Sequence, residues 1–161
     1  MEVVSGFRHL ACFLLLSVAP CCLAQEAKVR VLNGGNGRGL PKVAVSVSFL
    51  YDKKYDKEIP TNYVAPLKLE TDENGEAHFK FSQPPPAHFS TQVRVDESHW
   101  RCGCLILGST EDLVRDGISG PIPARDDKKL AARYKATPGE VLVIAEPLSF
   151  FERLLYPMMK E

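Results

Sequence analysis

The chain is poor in the features that most often announce a function. It carries no net charge, because twenty Lys and Arg stand against twenty Asp and Glu in 161 residues. No overall field therefore draws it to nucleic acid. No histidine–x–x–glutamate pair is present for a zinc peptidase, since His78 is followed by Phe79, Lys80 and Phe81. A glycine–x–serine–x–glycine elbow and a phosphate loop are missing as well. The apolar run from Leu10 to Ala19 is too short for a helix that crosses a bilayer.

Cysteine is scarce where it matters. Arg8 and His9 precede that apolar run, and Cys22 and Ala24 follow it with small residues two positions apart. This order of charge, apolar stretch and small-residue site predicts a secretory signal over residues 1–24, cleaved near Ala24 to leave Gln25 at the start. A buried N-terminal helix is the bland alternative. Lipid attachment at Cys21 or Cys22 is another, but Pro20 stands where a small residue would be needed. Cys12, Cys21 and Cys22 leave with the signal, so only Cys102 and Cys104 remain. Two cysteines cannot build a multi-bridge framework. The mature chain must be held by apolar burial, and with 45% hydrophobic and 25% charged residues it has the composition to do so.

What is present is period-two alternation. The stretch Thr71 to Phe81, TDENGEAHFKF, organises the rest. Asn74-Gly75 favours a tight two-residue hairpin turn. After it, Ala77, Phe79 and Phe81 alternate with His78 and Lys80; before it, Leu67 and Leu69 alternate with Lys68 and Glu70. Strands are also expected over Ala27–Asn33, Lys42–Leu50, Ser90–Glu97, Trp100–Gly108 and Glu140–Glu146. Ser82 to His88 contains three consecutive prolines and reads as an extended linker. Thr110 opens a short helix that Gly117 ends, and KKLAARYKA has helix formers before the break at Pro138-Gly139. Ser149 with Glu152 forms a capping box for a last helix, limited by Pro157, whose stripe is Phe150, Phe151, Leu154, Leu155 and Met158.

About seven short strands with turn signals between them predict an all-β, antiparallel sandwich with short helical additions toward the C-terminal end. The domain is expected over 25–146. Residues 147–161 are expected as an amphipathic helix packed on it, because a short helix gains its stability from packing. A membrane or a partner is the other surface that stripe could meet.

The segment from Val29 to Phe81 resembles the carboxypeptidase regulatory-like domains. Gly39-Leu40-Pro41, Val43-Ala44-Val45 and Thr71-Asp72-Glu73-Asn74-Gly75 carry the likeness. The resemblance implies a prealbumin-like, immunoglobulin-type sandwich serving as an accessory module. It implies no catalytic residue and no cofactor, and covers about a third of the chain.

Three constellations bear on chemistry. In HWRCGC, a continuous strand would put Cys102 and Cys104 on one side with His99 near them. Two packed structural thiols, a strained reducible disulfide, or a soft-metal site lacking a clear fourth ligand are the readings; His78 and His88 qualify as that ligand only if the fold brings them close. Tyr51, Tyr55 and Tyr63 share a polar loop, without the histidines of an iron dioxygenase, and are read as a solvated or binding loop. Trp100 is expected as a core anchor. ARDDKKLAARYK reads as a solvated helix face, because Asp126 and Asp127 offset its positive charge. The expectation is an exported, non-catalytic accessory module of the cell envelope, with a protein or carbohydrate partner and no cofactor. Its rivals are a thiol-redox or metal protein at Cys102 and Cys104, and an envelope-attached structural protein held by the last helix or a lipid.

Overall fold

The computed structural model describes residues 25–50, 65–81, 85–102, 105–121 and 132–156. These form an all-β sandwich of two sheets with two short helices. The strands are β1 (Gln25–Asn33), β2 (Ala44–Leu50), β3 (Leu67–Glu70), β4 (Glu76–Phe81), β5 (His88–Arg94), β6 (Trp100–Cys102), β7 (Leu105–Ser109), β8 (Ile118–Ser119) and β9 (Glu140–Pro147). The helices are α1 (Thr110–Arg115) and α2 (Phe150–Leu155). One sheet runs β4-β1-β9-β6, with β8 also pairing β9; the other runs β3-β2-β5-β7.

The core lies between the sheets, where the alternation places it. Val29 and Val31 of β1, Phe79 and Phe81 of β4, and Val141 and Val143 of β9 face Val45, Val47 and Phe49 of β2, Phe89 and Val93 of β5, and Ile106 of β7. Phe49 packs against Phe79 and Phe81 at ring-centroid separations of 6.0 and 6.2 Å, within the favourable range for aromatic pairs. A second, smaller cluster of Leu32, Leu142 and Ile144 sits on the outer face of β1 and β9 under Tyr134 and Ala136. That cover explains why β9 reads as an unbroken apolar run: it is buried on both faces.

Most pairings are antiparallel, but β1 runs parallel to β9, with Lys28 opposite Glu140 and Asn33 opposite Ala145. β8 is also parallel to β9. Nothing local in the sequence signals either pairing.

Two local expectations change. The turn of Thr71 to Gly75 does not close a hairpin, because β3 pairs with β2 while β4 pairs with β1 in the other sheet. It is a corner that carries the chain across the sandwich, with the two alternating strands facing each other through the core. Gly75 has φ +76°, whereas Asn74 is not in the left-handed region, so the two-residue mirror-image turn is absent. Asp72 shapes the corner instead: its Oδ1 accepts the backbone N–H groups of Asn74 and Glu76, both at 2.9 Å. Thr71 fixes the corner to the neighbouring turn. Its buried Oγ1 accepts from Val43 N at 2.9 Å and donates to Leu40 O at 2.6 Å.

The second change concerns WRCGCLILG, which is two strands rather than one. β6 pairs β9 in the first sheet and β7 pairs β5 in the second. The chain changes sheets between Cys102 and Leu105, so the alternation expected across Trp100–Gly108 is interrupted. α1 is capped by Ser109, whose Oγ accepts from Asp112 N at 3.0 Å, one residue earlier than expected. Gly117 ends it at φ +73°.

Candidate functional site

A recess lies where the β6 edge of the first sheet meets the end of β5 and α2. It is a cleft of about 380 Å³. Val95, Trp100, Cys102 and Leu148 supply apolar lining, and Glu97, Arg101, Glu152 and Tyr156 supply the polar groups. A second recess of about 230 Å³, lined by Gln92 to Val95 and Glu97, adjoins it through the shared Val95 and Glu97.

Each wall has a local cause. Trp100 stands opposite Pro147 on a three-residue edge strand, so its ring is half-buried at the rim and does not join the core. The expected core anchor is therefore an edge aromatic. α2 follows from its capping box, in which Ser149 Oγ accepts from Glu152 N and Glu152 Oε2 accepts from Ser149 N. Arg101 Nη2 donates to Glu152 Oε1 at 2.8 Å and Tyr156 Oη donates to Glu97 Oε2 at 2.9 Å, closing the cleft from the helix side. The Ser149 backbone and hydroxyl, then Arg101, hold the Glu152 carboxyl down to about 2, from an ordinary 4.5. It is an anion under all ordinary conditions.

Beside the cleft, Asp96, Ser98 and His99 bring together the three residue types of a hydrolytic triad. Their geometry is different. Asp96 Oδ2 lies 2.7 Å and Ser98 Oγ 2.8 Å from the same ring nitrogen, His99 Nδ1. A triad needs the acid on one nitrogen and the nucleophile on the other, so the imidazole cannot pass a proton between these partners. Ser98 Oγ also donates to Asp96 Oδ1 at 2.6 Å. The group is a self-capped turn that starts β6. Ser98's hydroxyl and backbone N–H, then His99, hold the Asp96 carboxyl down to about 2.

The cysteine constellation is placed in part. Cys102 is half-buried, packs against the main core and lines the cleft. Cys104, Tyr51, Tyr55 and Tyr63 lie outside the described residues. His78 is on β4, at the opposite edge of the sheet from β6, beside Glu26 and Glu76. Three strand spacings, roughly 14 Å, separate those edges. His88 begins β5 in the other sheet. The fold does not bring either histidine to Cys102, and among the described residues no group of three or more His, Cys, Asp or Glu gathers as for a metal ion.

The last helix departs from expectation. None of its residues is buried, and Phe150, Phe151, Leu154 and Leu155 are 75%, 73%, 64% and 50% exposed. These four members of the stripe are not packed on the sandwich, and Glu152 and Tyr156 make the contacts to it; Met158 lies outside the described residues. The polar ties of Glu152 to Arg101 and of Tyr156 to Glu97 set which face turns inward.

Glu140 is fully buried at the start of β9. It pairs with Arg30 on β1, and its Oε2 accepts from Thr137 N and Oγ1 at 2.8 Å each. This is a structural clamp between the first and last strands.

Sequence reasoning singled out Cys102 and Trp100 but missed Val95, Glu97, Leu148 and Tyr156. Glu97 and Tyr156 are 59 positions apart, so no spacing rule joins them.

These features define a β-sandwich with an aromatic-lined cleft at an open sheet edge. No family model matches the chain, and no curated protein matches it in sequence. Among solved structures, the full-length major pilin SpaD from Corynebacterium diphtheriae is similar at 13% identity and a TM-score of 0.42. The match covers 77% of this chain and 30% of the pilin, so the chain spans under a third of that protein. The sandwich assignment rests on the strand pairing and burial described above.

Proposed function

We propose that this chain is an exported, non-catalytic binding module of the cell envelope, of the carboxypeptidase regulatory-like type, and that its cleft receives a short carbohydrate. Export is supported by the signal pattern of residues 1–24. The type is supported by the Gly39-Leu40-Pro41 and Thr71–Gly75 motifs, which meet in the fold: a Cβ on Gly39 would lie 1.9 Å from Asn74 O.

The observation that carries the binding reading is the presence of Trp100 and Tyr156 in the lining of one recess together with Glu97, Arg101 and Glu152. Aromatic faces offer large contact area with little entropy to lose, and the charged rim offers directed hydrogen bonds to hydroxyls. The hydrolase-like trio beside it is wired at one nitrogen and performs no proton relay. Trp100 is the sole tryptophan, so it reports on its own site. Soluble envelope glycan fragments should shift its fluorescence saturably, and Trp100→Ala should abolish binding in calorimetry while the melting temperature holds. A peptide ligand that shifts the fluorescence where glycans do not would replace the carbohydrate with a protein partner. The thiol reading keeps one supporting observation, the position of Cys102 in the same cleft. Loss of glycan binding on oxidation, restored by reductant, would favour it.

A further inference from the structure

We propose that α2 is a membrane-interfacial foot, which lays Phe150, Phe151, Leu154 and Leu155 into the headgroup–acyl boundary of a bilayer. The inference does not require the cleft to bind a ligand.

The first support is orientation. Amphipathic helices ordinarily turn their apolar side to their own domain. α2 does the reverse, and named bonds hold it so. Glu152 is tied to Ser149 and Arg101, Tyr156 to Glu97, and Arg153 Nε donates to Leu148 O at 3.1 Å. Arg101 also lies 3.8 Å from Glu146 on β9. The helix is fastened by its polar side, and its two phenylalanine rings stack edge-to-face at 5.8 Å on the side turned to solvent.

The second support is what the surface offers a partner. The polar side chains Glu152 and Tyr156 turn to the sandwich, onto Arg101 and Glu97, and away from the ridge. A folded protein partner is selected by directed polar contacts around an apolar centre, and the four side chains of the ridge carry no donor or acceptor. A bilayer interface asks for apolar area alone.

The third support is size. Two phenylalanines near three-quarters exposure and two leucines between a half and two-thirds present on the order of 500 Å². Ridge-to-ridge pairing with a second copy would cover only part of that, whereas a stable interface removes about 800 Å² from each partner. A convex ridge of this kind is accommodated by a fluid phase without a preformed groove. The surrounding Asp96, Glu97, Glu146 and Glu152 outnumber Arg101 and Arg153, so attraction to anionic lipid contributes little and the binding is apolar in origin.

The test is cosedimentation of the purified mature chain, from Gln25 to Glu161, with phosphatidylcholine vesicles. Wild type should partition onto them, with little change when salt is raised to about 0.5 M. Phe150→Ser/Leu154→Ser should lose at least tenfold in partitioning while melting within about two degrees of wild type. Leu107→Ser, on the exposed side of β7, should bind as wild type does. Should the double variant fold poorly, wild type alone still decides: nitroxide lipids labelled near the headgroup should quench Trp100, which shares the cleft with α2. Failure of wild type to sediment, equal binding by the double variant, absence of quenching, or binding that vanishes with salt would each overturn the proposal. So would a dimer of the wild type that the double variant abolishes.

Discussion

Substituting Gly75 by alanine should be among the most damaging single-methyl additions in this chain. Gly75 sits at φ +76°, and a Cβ there would lie 2.5 Å from Val31 O and 2.6 Å from both Gly39 Cα and Leu40 N. Left-handed backbone costs an L-residue about 1–2 kcal/mol. The clash adds to this, because every atom met is backbone and no side chain can swing aside. The corner must lift from β1, which breaks the Val31 N to Gly75 O bond of 2.8 Å and leaves a buried donor unmet at a cost of about 1–3 kcal/mol. The sum is roughly 2–5 kcal/mol, a large share of the ~5–15 kcal/mol that holds a domain folded. With a urea slope of about 2 kcal/mol per molar, the unfolding midpoint should fall by about 1–2.5 M. Gly35→Ala is the control: its Cβ would meet only side-chain atoms, at 3.2 and 3.7 Å, and it should cost under about 1 kcal/mol. Gly39→Ala lifts the same corner, so the double variant with Gly75→Ala should cost less than the sum of the singles. If Gly75→Ala matched the control, or if the two corner changes were additive, the close docking of corner on turn would not be what holds this end of the sandwich.

Thr71→Val keeps the shape of a buried side chain but strips Val43 N of its acceptor, and should cost about 1–3 kcal/mol in the same titration; a loss under about 0.5 kcal/mol would show the hydroxyl is dispensable. Glu152 is held down to about 2 from 4.5, so its contribution is complete above about pH 4.5 and fades as the pH falls toward 2. Carboxyl NMR should give a midpoint near 2 for Glu152, and an ordinary midpoint near 4.5 would mean that the capping box and the Arg101 tie are not formed in solution. The exported protein should begin at Gln25; terminal peptides retaining Met1 to Ala24 would remove the export reading.

The parts of this architecture that sequence reveals are those with local causes. Val29 and Val31, Phe79 and Phe81, and the caps at Ser149 and Gly117 each follow from alternation or turn chemistry within a few residues. The destinations of the strands do not. Leu69 and Phe79 carry the same pattern whether the turn between them closes a hairpin or crosses the sandwich. Gly103 sits in an unbroken alternating run, and only partner strands far along the chain reveal that β6 and β7 belong to different sheets. The parallel seating of β9 on β1 is non-local in the same way. Amphipathicity shows that α2 has a stripe but is silent on which side the domain holds, because Arg101 is 51 positions from Glu152. The cleft was half legible for that reason: its aromatic and its thiol are neighbours in sequence, whereas Glu97 and Tyr156 meet only in the fold.

The seating of β9 also sets when folding can finish. β9 is an interior strand of its sheet, flanked by β1 and β6, yet it lies near the end of the chain, and the Arg30–Glu140 clamp joins residues 110 positions apart. Until β9 arrives, β1 lacks its parallel neighbour and β6 has no described partner. The first hundred residues can pair β3, β2 and β5 but cannot complete the sheet that contains β1 and β6, and loop closure over so long a span is slow. Under the export proposed above, this order of assembly would keep the chain open during its passage through a translocon. Its sandwich stays open while the early strands emerge and locks only when the last strand slides between them.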